Sequence, residues 1–203
     1  MRRLVLASRN KGKIAELREL LIELPVEIVG LDAYPDLPEI EETGTTFLEN
    51  AMIKAKAVAE YTGELSLADD SGLEVDALGG EPGVYSARYG QLGWNDRERY
   101  EYLLSKLQGI AAERLSARFH STVALVDPVT GRLEVADGAV EGLIMDQPKG
   151  SQGFGYDPIF FLPGLGKTMA ELPDSEKNSL SHRGRAIRKI LPKIIECIVV
   201  NQR

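Results

Sequence analysis

Short apolar runs and stretches of helical periodicity succeed one another along the first third of the chain. Residues 4–7 form an apolar run typical of a buried strand, and apolar positions at helical spacing follow over residues 13–24. Residues 26–29 alternate and predict a second strand, whereas a capping box opens a long predicted helix over residues 46–61. This order of strands and helices predicts an α/β protein.

A long alternating pattern marks the middle of the chain. Residues 116–127, a turn and a partner strand from Arg132 together predict a β-hairpin. His120 lies inside it, and we expect a histidine on the face of the sheet, not a catalytic one. Before the hairpin, Asn95 is expected to cap a helix that ends near Leu107.

The end of the chain predicts one more strand and one long helix. The strand covers residues 159–162. Ser179 or Ser181 is expected to cap a terminal helix that runs towards Val200, and Pro192 is expected to kink or break that helix.

Composition narrows the class of protein. A chain of 203 residues is long enough for one sizeable core, as one domain or one domain with two lobes. The net charge of −7 argues against broad binding of nucleic acid or of an anionic membrane. A small anionic substrate remains compatible, because a metal and local cations can reverse the field inside a cleft.

Cysteine and hydropathy point to a cytoplasmic protein. Cys197 is the only cysteine, which excludes an intrachain disulfide and fits a reducing cytoplasm. No segment approaches the roughly 20 apolar residues of a membrane span. We therefore expect no membrane partner.

Two adjacent carboxylates give the first candidate chemistry. Residues 65–68 predict a short buried strand, and Asp69, Asp70, Ser71 and Gly72 follow it. Ligands of open α/β sheets sit at the carboxyl ends of strands, and carboxylates suit Mg²⁺ together with phosphate oxygens. The alternative is an ordinary exit from a strand into a turn.

A polar loop between the first strand and the first helix is a candidate phosphate site. Residues 8–13 contain Ser8, Asn10, Lys11, Gly12 and Lys13 at a predicted helix N-terminus, where backbone N–H groups and the helix dipole favour an anion. The Walker A spacing is absent. The alternative is a solvated loop with an ordinary N-cap.

Two later stretches and one arginine are also candidates. Residues 150–158 combine three glycines with aromatic residues on which a base can stack, although they could equally form a tight loop packed into the core. Residues 176–185 place His182 and Arg183 in the first helical turn, against the dipole, which suits either a bound anion or a solvated basic face. Arg88 is a candidate phosphate ligand.

Together these stretches resemble the Ham1/inosine triphosphatase family, whose members hydrolyse triphosphates of deaminated purines. Each motif is weak by itself, but six in the family's order are specific. The motifs are Ser8-x-Asn10-x-x-Lys13, residues 41–55 from Glu41-Glu42-Thr43-Gly44 to Lys54-Ala55, Ala68-Asp69-Asp70-Ser71-Gly72-Leu73, Gly79-Gly80-x-Pro82-Gly83-x-x-Ser86-Ala87-Arg88, Gly153-Phe154-Gly155-Tyr156-Asp157-Pro158 and Lys177-x-x-x-Ser181-His182-Arg183.

The resemblance implies a fold and an activity. The fold is a single α/β domain over residues 1–203, elongated, with a mixed central sheet, flanking helices and two lobes around a substrate cleft. The activity is Mg²⁺-dependent hydrolysis of ITP, dITP and XTP to the nucleoside monophosphate and pyrophosphate, by a cytoplasmic homodimer. The rival functions are a Mg²⁺-dependent phosphomonoesterase and a nucleotide-binding sensor.

The resemblance also implies residue roles. Asp70 is the expected catalytic base, Glu42 and Asp70 are the expected Mg²⁺ ligands, and Asp69 is a candidate for a second metal or for supporting the ligands. The C6 oxygen of the base is expected to meet His182, Arg183 or backbone N–H groups, and Phe154 or Tyr156 is expected to stack on the ring. The expected substrate-binding residues are Ser8, Arg9, Asn10, Lys11, Gly12, Lys13, Lys54, Ser71, Arg88, Phe154, Gly155, Tyr156, Asp157, Lys177, His182 and Arg183.

Overall fold

Seven strands and five α-helices make up the regular structure of the described chain. The computed structural model describes residues 2–111 and 114–200. The strands are β1 Arg3–Leu6, β2 Glu27–Gly30, β3 Leu65–Val75, β4 Ser116–Asp127, β5 Arg132–Ile144, β6 Phe160–Leu162 and β7 Lys167–Thr168. The helices are α1 Lys11–Leu20, α2 Phe47–Thr62, α3 Asp96–Lys106, α4 Asp174–Leu180 and α5 His182–Val200.

The strands form one mixed sheet in the order β2-β1-β3-β4-β5-β6-β7. β1 is parallel to both β2 and β3, with Leu4 opposite Ile28 on one side and Leu65 on the other. β6 is antiparallel to β5 and to β7. A mixed sheet with flanking helices confirms the α/β class predicted from the sequence.

The chain divides into two compact units. Unit 1 comprises Met1–Asp70, Ser121–Gly138 and Arg183–Arg203, and unit 2 comprises Ser71–His120 and Ala139–His182. No helix in the described ranges is long and apolar enough to cross a membrane.

The core of unit 1 lies on both faces of its strands. On one face, side chains of α1 and α5 such as Leu17 and Ile190 pack against Leu67. On the other face, the small residues of α2, such as Ala55, pack against Ala68. Because side chains alternate along a strand, the residues that follow Leu67 and Ala68 in β3 are directed to opposite faces as well.

The core of unit 2 is built around aromatic residues. The rings of Phe119 and Phe160 are 4.4 Å apart, and both belong to one buried cluster with Tyr156. Tyr89 lies in the same cluster, with its ring 5.3 Å from that of Tyr102 on α3.

Local signals predicted the starts of two helices correctly. Thr46 and Glu49 form the capping box of α2, and Asn95 with Glu98 forms that of α3. The hairpin of β4 and β5 is also confirmed, and its turn is closed by a 2.9 Å bond from the Gly131 N–H to the Asp127 carbonyl.

Three predictions about element bounds were wrong. α1 begins at Lys11 because Asn10 caps it, and it ends at Leu20 rather than near residue 24. β3 continues to Val75, so Asp69 and Asp70 lie in the middle of a strand and not at its end.

The terminal region also differs from the prediction. A separate short helix, α4, precedes α5, and Ser179 lies inside it, where its hydroxyl donates to the Glu176 carbonyl at 2.7 Å. Ser181 directly precedes α5. The helix continues through Pro192, because its apolar face, including Ile190 and Ile194, stays buried on both sides of the missing hydrogen bond.

Candidate active site

A lysine between two carboxylates forms the central charge cluster of unit 1. Lys54 belongs to α2, and its Nζ lies 2.8 Å from Glu42 Oε1 and 2.8 Å from Asp70 Oδ1. The same ammonium donates to the main-chain oxygen of Asp69 at 2.9 Å. An ammonium has three protons, so these three acceptors use all of them.

Burial and charge shift the proton affinities in this cluster. Burial raises the pKa of Asp70 above its ordinary value, against the opposing effect of the Lys54 and Lys13 charges. Burial would lower the pKa of Lys54, but the two carboxylates outweigh it and the pKa is raised. Asp70 Oδ2 is buried and has no hydrogen-bond partner within the described part of the chain. Asp70 therefore keeps one acceptor atom that none of the described residues uses.

The donor set of this cluster fits Mg²⁺. Mg²⁺ takes one or two protein carboxylates and completes its shell with water and substrate phosphate oxygens. Glu42 and Asp70 supply two carboxylates within reach of one cationic atom, Lys54 Nζ. No group of three or more His, Cys, Asp or Glu side chains is arranged for a metal among the described residues. A metal here would thus need oxygen ligands from a substrate or from water.

The segment that carries Glu42 is fastened to the start of α2. The Gly44 N–H donates to Asn50 Oδ1 at 2.8 Å, and Glu49 Oε2 accepts from the Thr45 N–H at 2.7 Å. A Cβ on Gly44 would lie 2.6 Å from Glu49 Cβ and 2.7 Å from Asn50 Oδ1. Only glycine therefore allows this close approach, which positions Glu42 beside Lys54.

Asp69 has a different set of partners. Its Oδ2 lies 2.9 Å from Lys13 Nζ and 3.4 Å from an Arg183 nitrogen, and its Oδ1 accepts from Ser121 Oγ at 2.5 Å. Burial by itself would raise the pKa of Asp69, but the two cations and the hydroxyl outweigh it, so the pKa lies well below its ordinary value. This carboxylate anchors Lys13 in the first turn of α1. The arrangement speaks against the second-metal role considered for Asp69.

In the loop before α1, which the sequence predicts to bind phosphate, some polar atoms are already hydrogen-bonded within the protein. Asn10 Oδ1 accepts from the Lys13 N–H at 3.1 Å, so this atom serves as the helix cap, and the Asn10 N–H donates to Ser8 Oγ at 3.2 Å. The N–H groups of Lys11 and Gly12 open the helix and have no intrahelical acceptor.

The cationic side chains of that loop differ in their contacts and in their exposure to solvent. Arg9 donates to the Leu37 carbonyl at 3.0 Å, and the side chain of Lys13 is held by Asp69. Burial, together with the nearby charges of Lys54 and Arg183, lowers the pKa of Lys13. Lys11 is exposed to solvent.

Unit 2 carries the second group of expected site residues. Asp157 Oδ2 accepts from the Phe154 N–H at 2.9 Å and forms a buried ion pair with Lys177. The Lys177 ammonium lies 5.0 Å from the centre of the Phe154 ring, within range of a cation–π contact. The ring of Phe154 is only partly buried, so it offers a face on which a base can stack.

Tyr156 and two backbone N–H groups of its loop bind other parts of the protein, whereas the sequence predicted that they could contact a base. Tyr156 is buried in the core of unit 2, and its hydroxyl donates to the Ser86 carbonyl at 2.9 Å, so its ring cannot stack on a ligand. The Gly155 N–H donates to Asp96 Oδ2 at 2.7 Å. With the Phe154 N–H bound to Asp157, both of these backbone donors are already engaged by carboxylates.

His182 and Arg183 are adjacent in sequence but belong to different units. The His182 ring is buried and stacks on Phe119 with centres 4.9 Å apart and planes 16° apart. Arg183 is 1% exposed and pairs with Glu16 and Asp69 in unit 1. Such a guanidinium neutralises buried carboxylates, and this position differs from the base-binding role predicted for it.

The two remaining site candidates, Ser71 and Arg88, lie in unit 2 together with His120, which was predicted not to be catalytic. Ser71 follows Asp70 within β3 and is partly buried. Arg88 is exposed at the end of the 3-10 helix Gly83–Arg88, with its guanidinium 5.2 Å from the centre of the Tyr85 ring. His120 lies on β4 with Nδ1 3.8 Å from Glu74, on the face of the sheet as predicted.

Sequence reasoning missed three partners in these clusters. Glu16 follows Lys13 by three residues in α1, and this helical spacing was an available signal that they share a face. Ser121 contacts Asp69 from the neighbouring strand, and Asp96 contacts Gly155 from 59 residues earlier in the chain, so no local pattern reveals either contact.

The fold and the charge cluster define the class of the protein first. The mixed sheet with its flanking helices defines an α/β protein, and its charge cluster combines a lysine in the first turn of α1 with a carboxylate pair. The model of the Ham1 family matches residues 4–193. The chain belongs to the Ham1 family, which confirms the resemblance found in the sequence.

Relatives match the chain over nearly its whole length. The dITP/XTP pyrophosphatase of Desulforamulus reducens is 48% identical over 200 residues, which is 98% of each chain. A dITP/XTP pyrophosphatase of Listeria monocytogenes is 45% identical over 198 residues, covering 98% of this chain and 97% of its own. A solved HAM1 protein from Coxiella burnetii has a TM-score of 0.87 at 43% identity, covering 97% of this chain and 100% of its own.

Proposed function

We propose that this protein is a Mg²⁺-dependent nucleoside-triphosphate pyrophosphatase that converts ITP, dITP and XTP to the monophosphate and pyrophosphate. The observation that carries the proposal is the pair Glu42 and Asp70 around Lys54, with Asp70 Oδ2 buried and without a hydrogen-bond partner in the described ranges. The relatives named dITP/XTP pyrophosphatase support the choice of substrates. Such an enzyme would remove deaminated purine nucleotides from the nucleotide pool.

The triphosphate is bound by unit 1 in this proposal. The N–H groups of Lys11 and Gly12 and the positive end of the α1 dipole receive phosphate oxygens. The Lys13 side chain adds charge at the same helix end, where Asp69 holds it at 2.9 Å. Lys54, a buried lysine of α2, is the second cation that this proposal places on the phosphates.

Hydrolysis then requires an activated water at the α-phosphorus. Glu42 and Asp70 would hold Mg²⁺, which when bound supplies charge neutralisation at the phosphates and a more acidic water. In this proposal Asp70 Oδ2 accepts the proton of the attacking water, because this buried oxygen has no hydrogen-bond partner among the described residues. The new bond joins the water oxygen to the α-phosphorus, the bond to the bridging oxygen breaks, and pyrophosphate leaves.

In this proposal, residues of unit 2 recognise the purine base. Hypoxanthine and xanthine carry an acceptor oxygen at C6, where adenine carries an amino donor. Phe154 stacks on the ring, and Lys177 and His182 are the side-chain donors for the C6 oxygen. A site built around a required hydrogen bond can discriminate by about 10⁴-fold or more.

A comparison of products tests the proposal. Purified protein is incubated with Mg²⁺ and ITP, dITP, XTP, GTP or ATP, and pyrophosphate is resolved from orthophosphate. Pyrophosphate and monophosphate from the first three, with little from GTP and ATP, are expected. Orthophosphate release would instead indicate a phosphomonoesterase, and binding without turnover would indicate a sensor.

We also propose that the protein is a homodimer and that it is located in the cytoplasm. Light scattering after gel filtration tests the homodimer, and cell fractionation tests the location.

A further inference from the structure

The ammonium of Lys54 pairs with both carboxylates that are expected to bind the metal. Glu42 Oε1 and Asp70 Oδ1 are each 2.8 Å from Lys54 Nζ, and the third proton of the ammonium goes to the Asp69 carbonyl. Lys54 is 9% exposed. A buried cation therefore already lies at the point where these two carboxylates converge.

Such an ammonium opposes a second cation at the same carboxylates. Mg²⁺ bound by Glu42 and Asp70, including through Asp70 Oδ2, would place two cations close together in a buried site and draw the charge of both carboxylates away from Lys54. Lys54 would lose this charge compensation while remaining shielded from solvent, which is costly unless another anion replaces it.

A polyphosphate supplies that replacement. Its oxygens are acceptors of strong hydrogen bonds and carry the negative charge that the ammonium would lose. It also brings oxygen ligands for the metal, which the protein supplies from only two carboxylates here.

We propose that Lys54 is an internal counter-ion that holds Glu42 and Asp70 together before substrate arrives, and that it releases them to Mg²⁺ only when a triphosphate is present to receive its ammonium. Lys54 thereby makes metal uptake conditional on nucleotide. The inference rests on the proposed function for the identity of the metal and of the triphosphate. Since coupling between two ligands is reciprocal, the nucleotide likewise binds more tightly with the metal than without it.

Calorimetric titration of Mg²⁺ into nucleotide-free protein tests the inference. The variants are Lys54→Gln, which removes the charge, and Lys56→Gln, a matched control on an exposed position of the same helix. We expect Lys54→Gln to bind Mg²⁺ at least about tenfold more tightly than wild type, within the ordinary range of coupling between sites. Lys56→Gln should bind as wild type does. Equal or weaker binding by folded Lys54→Gln would overturn the proposal.

Crystal structures of the wild type give a second test that needs no variant. With Mg²⁺ alone, Lys54 should stay between the two carboxylates, and with Mg²⁺ and an α,β-imido analogue of ITP its ammonium should lie on a phosphate. A metal bound by Glu42 and Asp70 without nucleotide would overturn the proposal, as would an unmoved Lys54 in the ternary complex. The calorimetric test contains no nucleotide, so its outcome is separate from the product assay of the proposed function.

Discussion

Asp69 and Asp70 are consecutive residues of β3 whose carboxylates have separate partners. Asp69 Oδ2 lies 2.9 Å from Lys13 Nζ, whereas Asp70 Oδ1 lies 2.8 Å from Lys54 Nζ. Their pKa values move in opposite directions, well down for Asp69 and up for Asp70. The strand alternation gives one carboxylate to α1 and α5 and the other to α2, so one acid is a fixed anion and the other can take a proton.

The first prediction concerns Asp70→Asn. We expect kcat for ITP to fall by about 10³-fold, because the variant loses the proton acceptor and one metal ligand. The amide oxygen can still accept from Lys54, so the melting temperature should change little.

Steady-state kinetics and thermal unfolding check this prediction. Asp36→Asn removes an acid on the exposed surface and serves as the control for loss of one negative charge. A folded Asp70→Asn protein with near-normal kcat would remove Asp70 from the mechanism.

The second prediction concerns Asp69→Ala, for which stability is the main readout. Removing this carboxylate leaves the partly buried Lys13 and the buried Arg183 without a shared anion. Loss of one partner of a buried ion pair costs about 3–5 kcal/mol of unfolding free energy. Lys13 also loses the contact that positions it, so KM for ITP should rise.

Urea unfolding monitored by circular dichroism measures the loss. Asp69→Asn retains an acceptor for Ser121 and should lie between the wild type and Asp69→Ala. A stability within 0.5 kcal/mol of wild type, the usual range for surface substitutions, would contradict the anchoring role.

Local signals predicted the elements better than the contacts of the site. The caps at Thr46 and Asn95 could be recognised because a cap is a pattern of a few adjacent residues. The run Asp69-Asp70-Ser71-Gly72 was interpreted as the end of a strand, since Asp and Gly favour turns. Ion pairs neutralise the first acid and pair the second with Lys54, which allows the strand to continue to Val75.

The site differs from the prediction where side chains meet across distant segments. Arg183 follows His182 directly, and a motif places both together, yet Arg183 pairs with Glu16 from the other end of the chain. Tyr156 looks like a stacking residue in sequence, but its burial depends on the packing of unit 2. These contacts depend on tertiary packing between distant segments, which the spacing of neighbouring residues does not reveal.

The third prediction uses a glycine as a probe of the segment that carries Glu42. Gly44→Ala should lower Mg²⁺-dependent turnover by about 10²-fold, the effect expected when a catalytic group is misplaced by about 1 Å. The added Cβ would lie 2.6 Å from Glu49 Cβ, so the segment must shift.

The matched control is Gly164→Ala, where an added Cβ has no atom within 4 Å. Steady-state kinetics at several Mg²⁺ concentrations should show the defect in Gly44→Ala alone. Full activity in that variant would mean that the position of Glu42 is not critical.

The fourth prediction separates two aromatic residues of one loop. Phe154→Leu keeps apolar volume but removes the flat face, so KM for ITP should rise about tenfold, since base stacking is worth about 1–3 kcal/mol. Tyr156→Phe removes only the bond to the Ser86 carbonyl and should lower stability by about 1 kcal/mol with KM unchanged. Steady-state kinetics and urea unfolding of both variants test this. A raised KM in Tyr156→Phe with an unchanged KM in Phe154→Leu would contradict the roles assigned to the two residues.

The last prediction concerns the pH dependence of stability at the Arg2–Asp127 pair. Arg2 Nη2 lies 2.5 Å from Asp127 Oδ1, which also accepts from the Val129 N–H at 3.1 Å. Burial would raise the pKa of Asp127, but these hydrogen bonds outweigh it and the pKa is lowered. A carboxyl with a lowered folded-state pKa contributes stability above its unfolded pKa of about 3.9 and loses it as pH falls through the folded value.

Asp127→Asn should therefore be less stable than wild type at pH 7, by about 1.5–3 kcal/mol for a hydrogen bond to a charged group. The difference should shrink as the pH falls below about 4, because the carboxyl of the unfolded wild type is protonated first and that of the folded protein follows at its lower pKa. Urea unfolding at pH 7, 5 and 3.5 measures the difference in unfolding free energy between wild type and Asp127→Asn, with Asp36→Asn as the exposed control. A difference that stays constant over this pH range would show that the charge of Asp127 does not stabilise the fold.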